Sequence, residues 1–116
     1  MIGERISPAE VPARLRDLSA GVRVAVLLDA AGSTLGCSDP DEERERTLGE
    51  LVRDLLETVD DSVAEPPSEL EGQVEGGAVF IARNHHFTLA AVTRRTALSS
   101  LTLYDLRALL ASVDAA

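Results

Sequence analysis

At 116 residues, with 20 acidic and 11 basic side chains and a net charge of −9, the chain is sized for a single domain, and its negative balance repels phosphate backbones. Two Phe, one Tyr and no Trp leave little from which to build a stacking platform, so no nucleic-acid partner is expected. The longest apolar runs, such as Val24 to Leu28, fall far short of the ~20 residues that span a bilayer, which argues against membrane insertion. Met1 to Arg5 is followed by no apolar stretch of signal-peptide length, and the lone Cys37 has no internal partner, so the expectation is a soluble, cytoplasmic protein. Every basic residue is Arg, a bias that suits a GC-rich bacterial genome and carries no functional signal.

The first element opens at Ser7-Pro8-Ala9-Glu10, which has capping-box spacing, but Pro12 interrupts it. A short helix over about 12 to 20 carries Leu15 and Leu18 to a terminal Gly21. Val22 to Asp29 reads as a strand, and Asp29-Ala30-Ala31-Gly32 supplies the residues that turn it into a second strand, Ser33 to Cys37. Asp39 is the expected cap of a long helix running to Val63, with Pro40 in its first position; Ala64 to Ser68, with Pro66-Pro67, ends the helix.

Three strands come next: Glu69 to Glu75, Ala78 to Arg83, and Phe87 to Thr93 or Arg94. Gly76-Gly77 is a two-residue hairpin signal, because both residues accept positive φ. The last two strands are apolar or small on both faces and belong at the centre of a sheet covered above and below. Leu70, Gly72 and Val74 alternate with Glu69, Glu71, Gln73 and Glu75, as a half-covered edge strand should. A helix from about Ser100 to Val113 closes the chain on a stripe of Leu103, Leu106, Leu109, Leu110 and Val113. The fold class is therefore α+β, a five-stranded antiparallel sheet between helical layers in the order αββαβββα.

The long helix is the most informative element. Projected at about 100° per residue with Val52 at zero, its charged residues from Thr47 onward (Glu50, Arg53, Asp54, Glu57, Asp60, Asp61) occupy only about 80° to 200°. A core stripe of about 100° is already filled by Leu48, Val52, Leu55, Leu56, Val59 and Val63. Thr47, Leu51, Thr58 and Ser62 widen the uncharged side on one flank and Gly49 on the other. Such a helix can bury one face on its own sheet and a second against another surface. The alternative is that the connection from Ala64 to Ser68 folds back over the flank.

Across VAVLLDAAGSTLG, the long helix, and EGGAVFIARNHHFTLAAVTRR leading into LYDLRALL, the chain resembles the roadblock/LC7 family from about Val11 to Val113. Profilin-like, longin and PAS-type sheets share parts of the pattern. Members of the family regulate or scaffold small GTPases and dynein. The resemblance implies one domain over residues 1–116, a homodimer formed by the second helices and the third strands, and a small Ras-like GTPase as partner, with neither cofactor nor chemistry of its own. The dimer interface would comprise Thr47, Gly49, Leu51, Leu55, Thr58 and Ser62 with Leu70, Gly72 and Val74, which would also close an exposed strand edge. Glu69, Glu71 and Glu75 would then approach their own copies, a repulsion that salt screens. Leu51 would add about 1–3 kcal/mol per subunit if fully buried.

Further candidate contacts lie on the last helix, where Leu101, Tyr104, Ala108 and Ala111 form an uncharged back opposite the core stripe; the first helix is expected to cover it, failing which a partner would. Arg94 and Arg95, just past the last strand, could approach the phosphates of a bound GTPase, although surface solvation is the simpler reading. His85 and His86 read as a solvated turn, and Cys37 as a small hydrophobe flanked by acids. There is no G-x-S-x-G, P-loop or G-x-G-x-x-G, so no enzyme is expected. A rival from another class is a PAS-like sensor holding a small ligand against the sheet, in space left by Ala78, Ala82, Ala90 and Ala91.

Overall fold

The computed structural model of the chain describes residues 5–113. Ser7 starts a single 3-10 turn, Pro8–Glu10, without a side-chain cap, and α1 follows as Val11–Leu18. Pro12 lies in the first turn of α1, where its missing N–H costs nothing, so the turn and the helix coexist. Gly21 does not cap α1. The helix ends at Leu18 with Ser19 extended, and Gly21 is small because a Cβ there would come within 2.8 Å of the Ala97 Cβ.

Strands β1 (Val22–Asp29) and β2 (Thr34–Cys37) form the expected hairpin. Asp29 Oδ1 accepts from the N–H groups of Ala31 and Ser33, and Gly32 takes φ +91°. Helix α2 is Glu42–Ser62. Its cap is Asp41 rather than Asp39: Asp41 Oδ1 accepts from Glu43 N at 2.9 Å and Arg44 N at 3.3 Å. Asp39 is used one step earlier, its Oδ1 accepting from Asp41 N to make a turn around Pro40.

Strands β3 (Glu69–Val74), β4 (Gly77–Arg83) and β5 (Phe87–Arg94) and helix α3 (Ser99–Ser112) complete the chain. The sheet order is β2-β1-β5-β4-β3, with every neighbouring pair antiparallel. In the β3–β4 hairpin Val74 pairs with Gly77, so the turn is Glu75-Gly76, and only Gly76 has positive φ, +80°. Gly77 is a strand residue whose smallness serves another purpose, since a Cβ there would collide with the Thr93 carbonyl oxygen.

The sheet is covered on both sides because β1, β4 and β5 are apolar on both faces. Val11 and Leu15 of α1 and Leu106, Leu109 and Leu110 of α3 pack with Ala25, Leu27, Phe80, Ala82, Leu89 and Ala91 on one side. Leu48 and Val52 of α2 pack with Val26, Leu28, Val79, Ile81 and Ala90 on the other. Ala78, Ala82, Ala90 and Ala91 are all buried, filled against by Phe80, Phe87 and the leucines of α3 or by α2. The two ends of the described segment are joined by a parallel bridge between Ile6 and Val113, with Ile6 N donating to Ser112 O at 2.9 Å.

Candidate protein-interaction site

Helix α2 is fastened on one flank and open on the other. On the fastened flank, Arg53 Nη1 donates to Gly32 O at 2.7 Å, tying the helix to the β1–β2 turn. Gly49 belongs to this side and is buried, where a Cβ would lie 3.0 Å from Thr34 Oγ1 and 3.2 Å from Arg53 Nη1. Its own chain covers it, so Gly49 is removed from the set of residues available to another molecule. On the flank facing β3, Leu51 is 47% exposed, Thr47, Thr58 and Ser62 are exposed, and Leu55 is half-buried.

Between this open flank and the sheet runs a groove lined by the apolar residues Leu55, Val59, Leu70, Val79 and Ile81 together with Gly72 and Glu71, whose carboxylate is turned to Ser99 of α3. At the helix N-terminus it is succeeded by a second concavity, floored by Val24, Leu48 and Leu51 and rimmed by Asp39, Asp41, Glu43 and Arg44. Val63, expected in the core stripe, is exposed, because α2 runs past the sheet at its C-terminal end. The connection after α2 is held elsewhere: Arg83 Nε donates to Pro67 O at 2.8 Å, and Ala64, Glu65, Pro66 and Ser68 are exposed.

Strand β3 is a sheet edge. Its pairing with β4 includes a hydrogen bond from Arg83 N to Ser68 O, and by alternation Leu70, Gly72 and Val74 are the residues bonded to β4. The N–H and C=O groups of Glu69, Glu71 and Gln73 therefore point away from the sheet. Leu70 and Gly72 are half-buried and Val74 is 37% exposed, all on the α2 side. Glu69 and Glu71 lie on the opposite side, where α3 engages both. Arg107 Nη1 donates to Glu69 Oε2 at 2.8 Å, and Ser99 Oγ donates to Glu71 Oε2 at 2.8 Å. Two of the three carboxylates expected to repel across a two-fold axis are thus occupied by their own chain.

Among the described residues, the outer side of α3 is exposed. Helix α1 lies on the same sheet face as α3, as expected, but packs along the core side, with Leu15 and Leu106 in one cluster. Leu101 is 59% and Tyr104 61% exposed, and Ala108 and Ala111 are exposed too, so α1 does not cover this back. Arg94 and Arg95 are exposed at the same end of the domain, with Arg94 N donating to Gly21 O at 2.9 Å. Leu18 and Leu98 extend the patch through a shallow groove that also includes Gly21, Ala97 and Leu101. Neither was legible as a surface residue: Leu18 follows Leu15 at helical spacing but falls on the final residue of α1, and Leu98 is an apolar residue in the N-cap position of α3. These two sites, the α2–β3 face and the α3 back, lie on opposite faces of the sheet.

The electrostatics follow the same geometry. Hydrogen bonding from the Asp41 backbone, with help from Arg44, holds the Asp39 carboxyl below its ordinary range. Arg83 does the same for Asp60. Burial is the main cause that pushes the Cys37 thiol up, with Glu45 and Asp39 acting in the same direction. His85 and His86 are exposed in a turn built by Asn84, whose Oδ1 accepts from His86 N and Phe87 N, both at 2.9 Å. Among the described residues no helix is long and apolar enough to cross a membrane.

No family model and no curated protein matches the sequence. Solved structures do match the fold. A roadblock/LC7 domain from Streptomyces avermitilis superposes with a TM-score of 0.76 at 16% identity, covering 88% of this chain and 90% of that one. The gliding protein MglB from Thermus thermophilus gives a TM-score of 0.73 at 19% identity, over 89% of this chain and 82% of that one. An MglB in a tetrameric arrangement gives 0.70 at 20% identity, over 87% and 80%. The chain therefore has the roadblock/LC7 fold, at sequence identities that show the fold and no more.

Proposed function

We propose that the chain is a homodimeric, non-catalytic regulator or scaffold of a small Ras-like GTPase. The observation that carries this reading is the pairing of an open apolar flank on α2, centred on Leu51 and Leu55, with the unpaired backbone edge of β3 beside it. A second copy would cover both at once, with Thr47, Leu51, Leu55, Thr58 and Ser62 meeting its α2 and Leu70, Gly72 and Val74 meeting its β3. A free strand edge next to exposed leucine is a hazard that natural proteins close. The tetrameric arrangement of one similar MglB supports self-association as a habit of the fold.

The GTPase rests on the roadblock resemblance together with the second exposed patch. Leu101, Tyr104 and Ala108 lie across the sheet from the proposed dimer face, so they would remain open in a dimer and, with the exposed Arg94 and Arg95 that precede α3, are the surface we assign to the partner. Immobilised chain incubated with small GTPases of the source organism, each loaded with GDP or a GTP analogue, tests the assignment. Retention of one nucleotide form supports a regulator and equal retention of both a scaffold. Retention of neither removes the GTPase from the reading.

A further inference from the structure

On the reading that the chain self-associates through β3, we propose the register: β3 pairs antiparallel with β3 of a second copy about an axis at Gly72, so that Leu70 faces the partner's Val74 and Glu71 faces the partner's Gln73. Only Glu69, Glu71 and Gln73 present outward backbone groups, because Leu70, Gly72 and Val74 are bonded to β4. Two copies can bond edge to edge only when these odd-numbered residues oppose one another, which leaves a few registers two residues apart in relative shift.

Side chains choose among them. With the axis at Glu71, that carboxylate opposes its own copy, and with the axis at Leu70, Glu69 opposes Glu71 twice; like charges directly opposite are destabilising. With the axis at Gln73, Leu70 runs past the partner strand and loses its apolar neighbour. With the axis at Gly72, the only acids opposed are Glu69 and the partner's Glu75 at the two ends of the pairing, where Glu75 lies in the β3–β4 turn and Glu69 is held by Arg107, and Leu70 and Val74 form cross-strand apolar pairs on either side of a Gly72–Gly72 crossing. These pairs fall on the α2 side, where they extend the groove lined by Leu55, Val59 and Ile81. On the other side, Arg107 and Ser99 hold Glu69 and Glu71 towards α3.

The Gly72 crossing is a non-hydrogen-bonded pair, for which Cα atoms stand about 4.5 Å apart, inside the roughly 4.4–6.8 Å that a disulfide spans. A Cβ at Gly72 meets only Val79 Cγ1, at 3.5 Å, so cysteine fits there. In a Cys37→Ser background, Gly72→Cys, Glu71→Cys, Leu70→Cys and the double variant Leu70→Cys/Val74→Cys are oxidised with diamide and run on a non-reducing gel, with sedimentation of the unoxidised protein in parallel. The expected result is a shift to the two-chain band for Gly72→Cys and for the double variant, with little for Leu70→Cys, whose copies stand about 13 Å apart along the strands. Stronger crosslinking of Glu71→Cys or Leu70→Cys than of Gly72→Cys overturns the register. Dimers in sedimentation without crosslinking of Gly72→Cys or the double variant overturn the register but leave self-association standing, whereas monomers without crosslinking remove both.

Discussion

Arg83, the last residue of β4, clamps Asp60 near the end of α2 with both guanidinium arms, Nη1 to Oδ2 at 3.0 Å and Nη2 to Oδ1 at 2.6 Å. Its third nitrogen, Nε, holds the Pro67 carbonyl. One side chain therefore fixes the far end of α2 and draws the following connection over the end of the sheet. This clamp and the Arg53–Gly32 bond lie on the side of α2 away from Leu51 and leave the β3 flank without a cover.

The clamp gives stability a defined pH dependence. Hydrogen bonds from Arg83 hold the Asp60 carboxyl below aspartate's ordinary 3.8. A carboxylate with a lower pKa folded than unfolded stabilises the fold at pH above its unfolded value, and that contribution is lost as the pH falls through the folded value. Urea denaturation at pH 7 and pH 3 should show the chain losing stability on acidification, with Arg83→Gln less stable at pH 7 and losing less over the same interval. Equal losses in the two proteins would show that the pair is too solvated to matter.

The cap assignment is tested by two alanines. Asp41→Ala removes the acceptor for Glu43 N and Arg44 N and should cost about 1 kcal/mol in thermal or urea unfolding. Asp39→Ala removes a turn bond outside the helix and should cost less. A reversed order would return the cap to Asp39.

Three glycines separate conformational need from steric need. Gly77→Ala drives a methyl into the Thr93 carbonyl and should cost about 2–3 kcal/mol. Gly76→Ala forces an L-residue to positive φ and should cost about 1–2 kcal/mol, with no clash. Gly72→Ala, at an ordinary 3.5 Å from Val79, should leave the fold within about 0.5 kcal/mol of the parent.

Much of this architecture was legible in the sequence because it is written in side-chain periodicity. Alternation in β3 and its absence in β4 and β5 placed the edge and the centre of the sheet, and Asp29 to Gly32 announced their turn. What was not legible depends on contacts between distant residues. Gly49 and Leu51 both adjoin the core stripe on a helical projection, yet Arg53 reaching to Gly32 covers one flank, and among the described residues Leu51 on the other flank stays 47% exposed. Asp39 and Asp41 both precede the helix as good caps, and Pro40 in first position favours Asp39 by pattern, yet Asp39 accepts from Asp41 N and leaves the helix N–H groups to Asp41. The open back of α3 was visible as a face, but whether α1 would cover it depends on how that helix is set against the sheet, which eight residues of pattern do not encode.

The α3 patch should be separable from the fold. Leu101→Ser and Tyr104→Ala replace exposed side chains, so each should leave unfolding within about 0.5 kcal/mol of the parent and leave the proposed self-association unchanged, while weakening capture of any GTPase that the parent retains. Loss of self-association in Tyr104→Ala would move the dimer contact to this face.

Sedimentation equilibrium of the purified chain beside Leu51→Glu is the most direct measurement of the central claim. On the proposed dimer, the parent should behave as a dimer and Leu51→Glu, with an unchanged circular dichroism spectrum, should shift to a monomer, because a charge is placed on the α2 flank proposed to be shared. A parent that stays monomeric at high concentration, or a Leu51→Glu variant that stays fully dimeric, would contradict it.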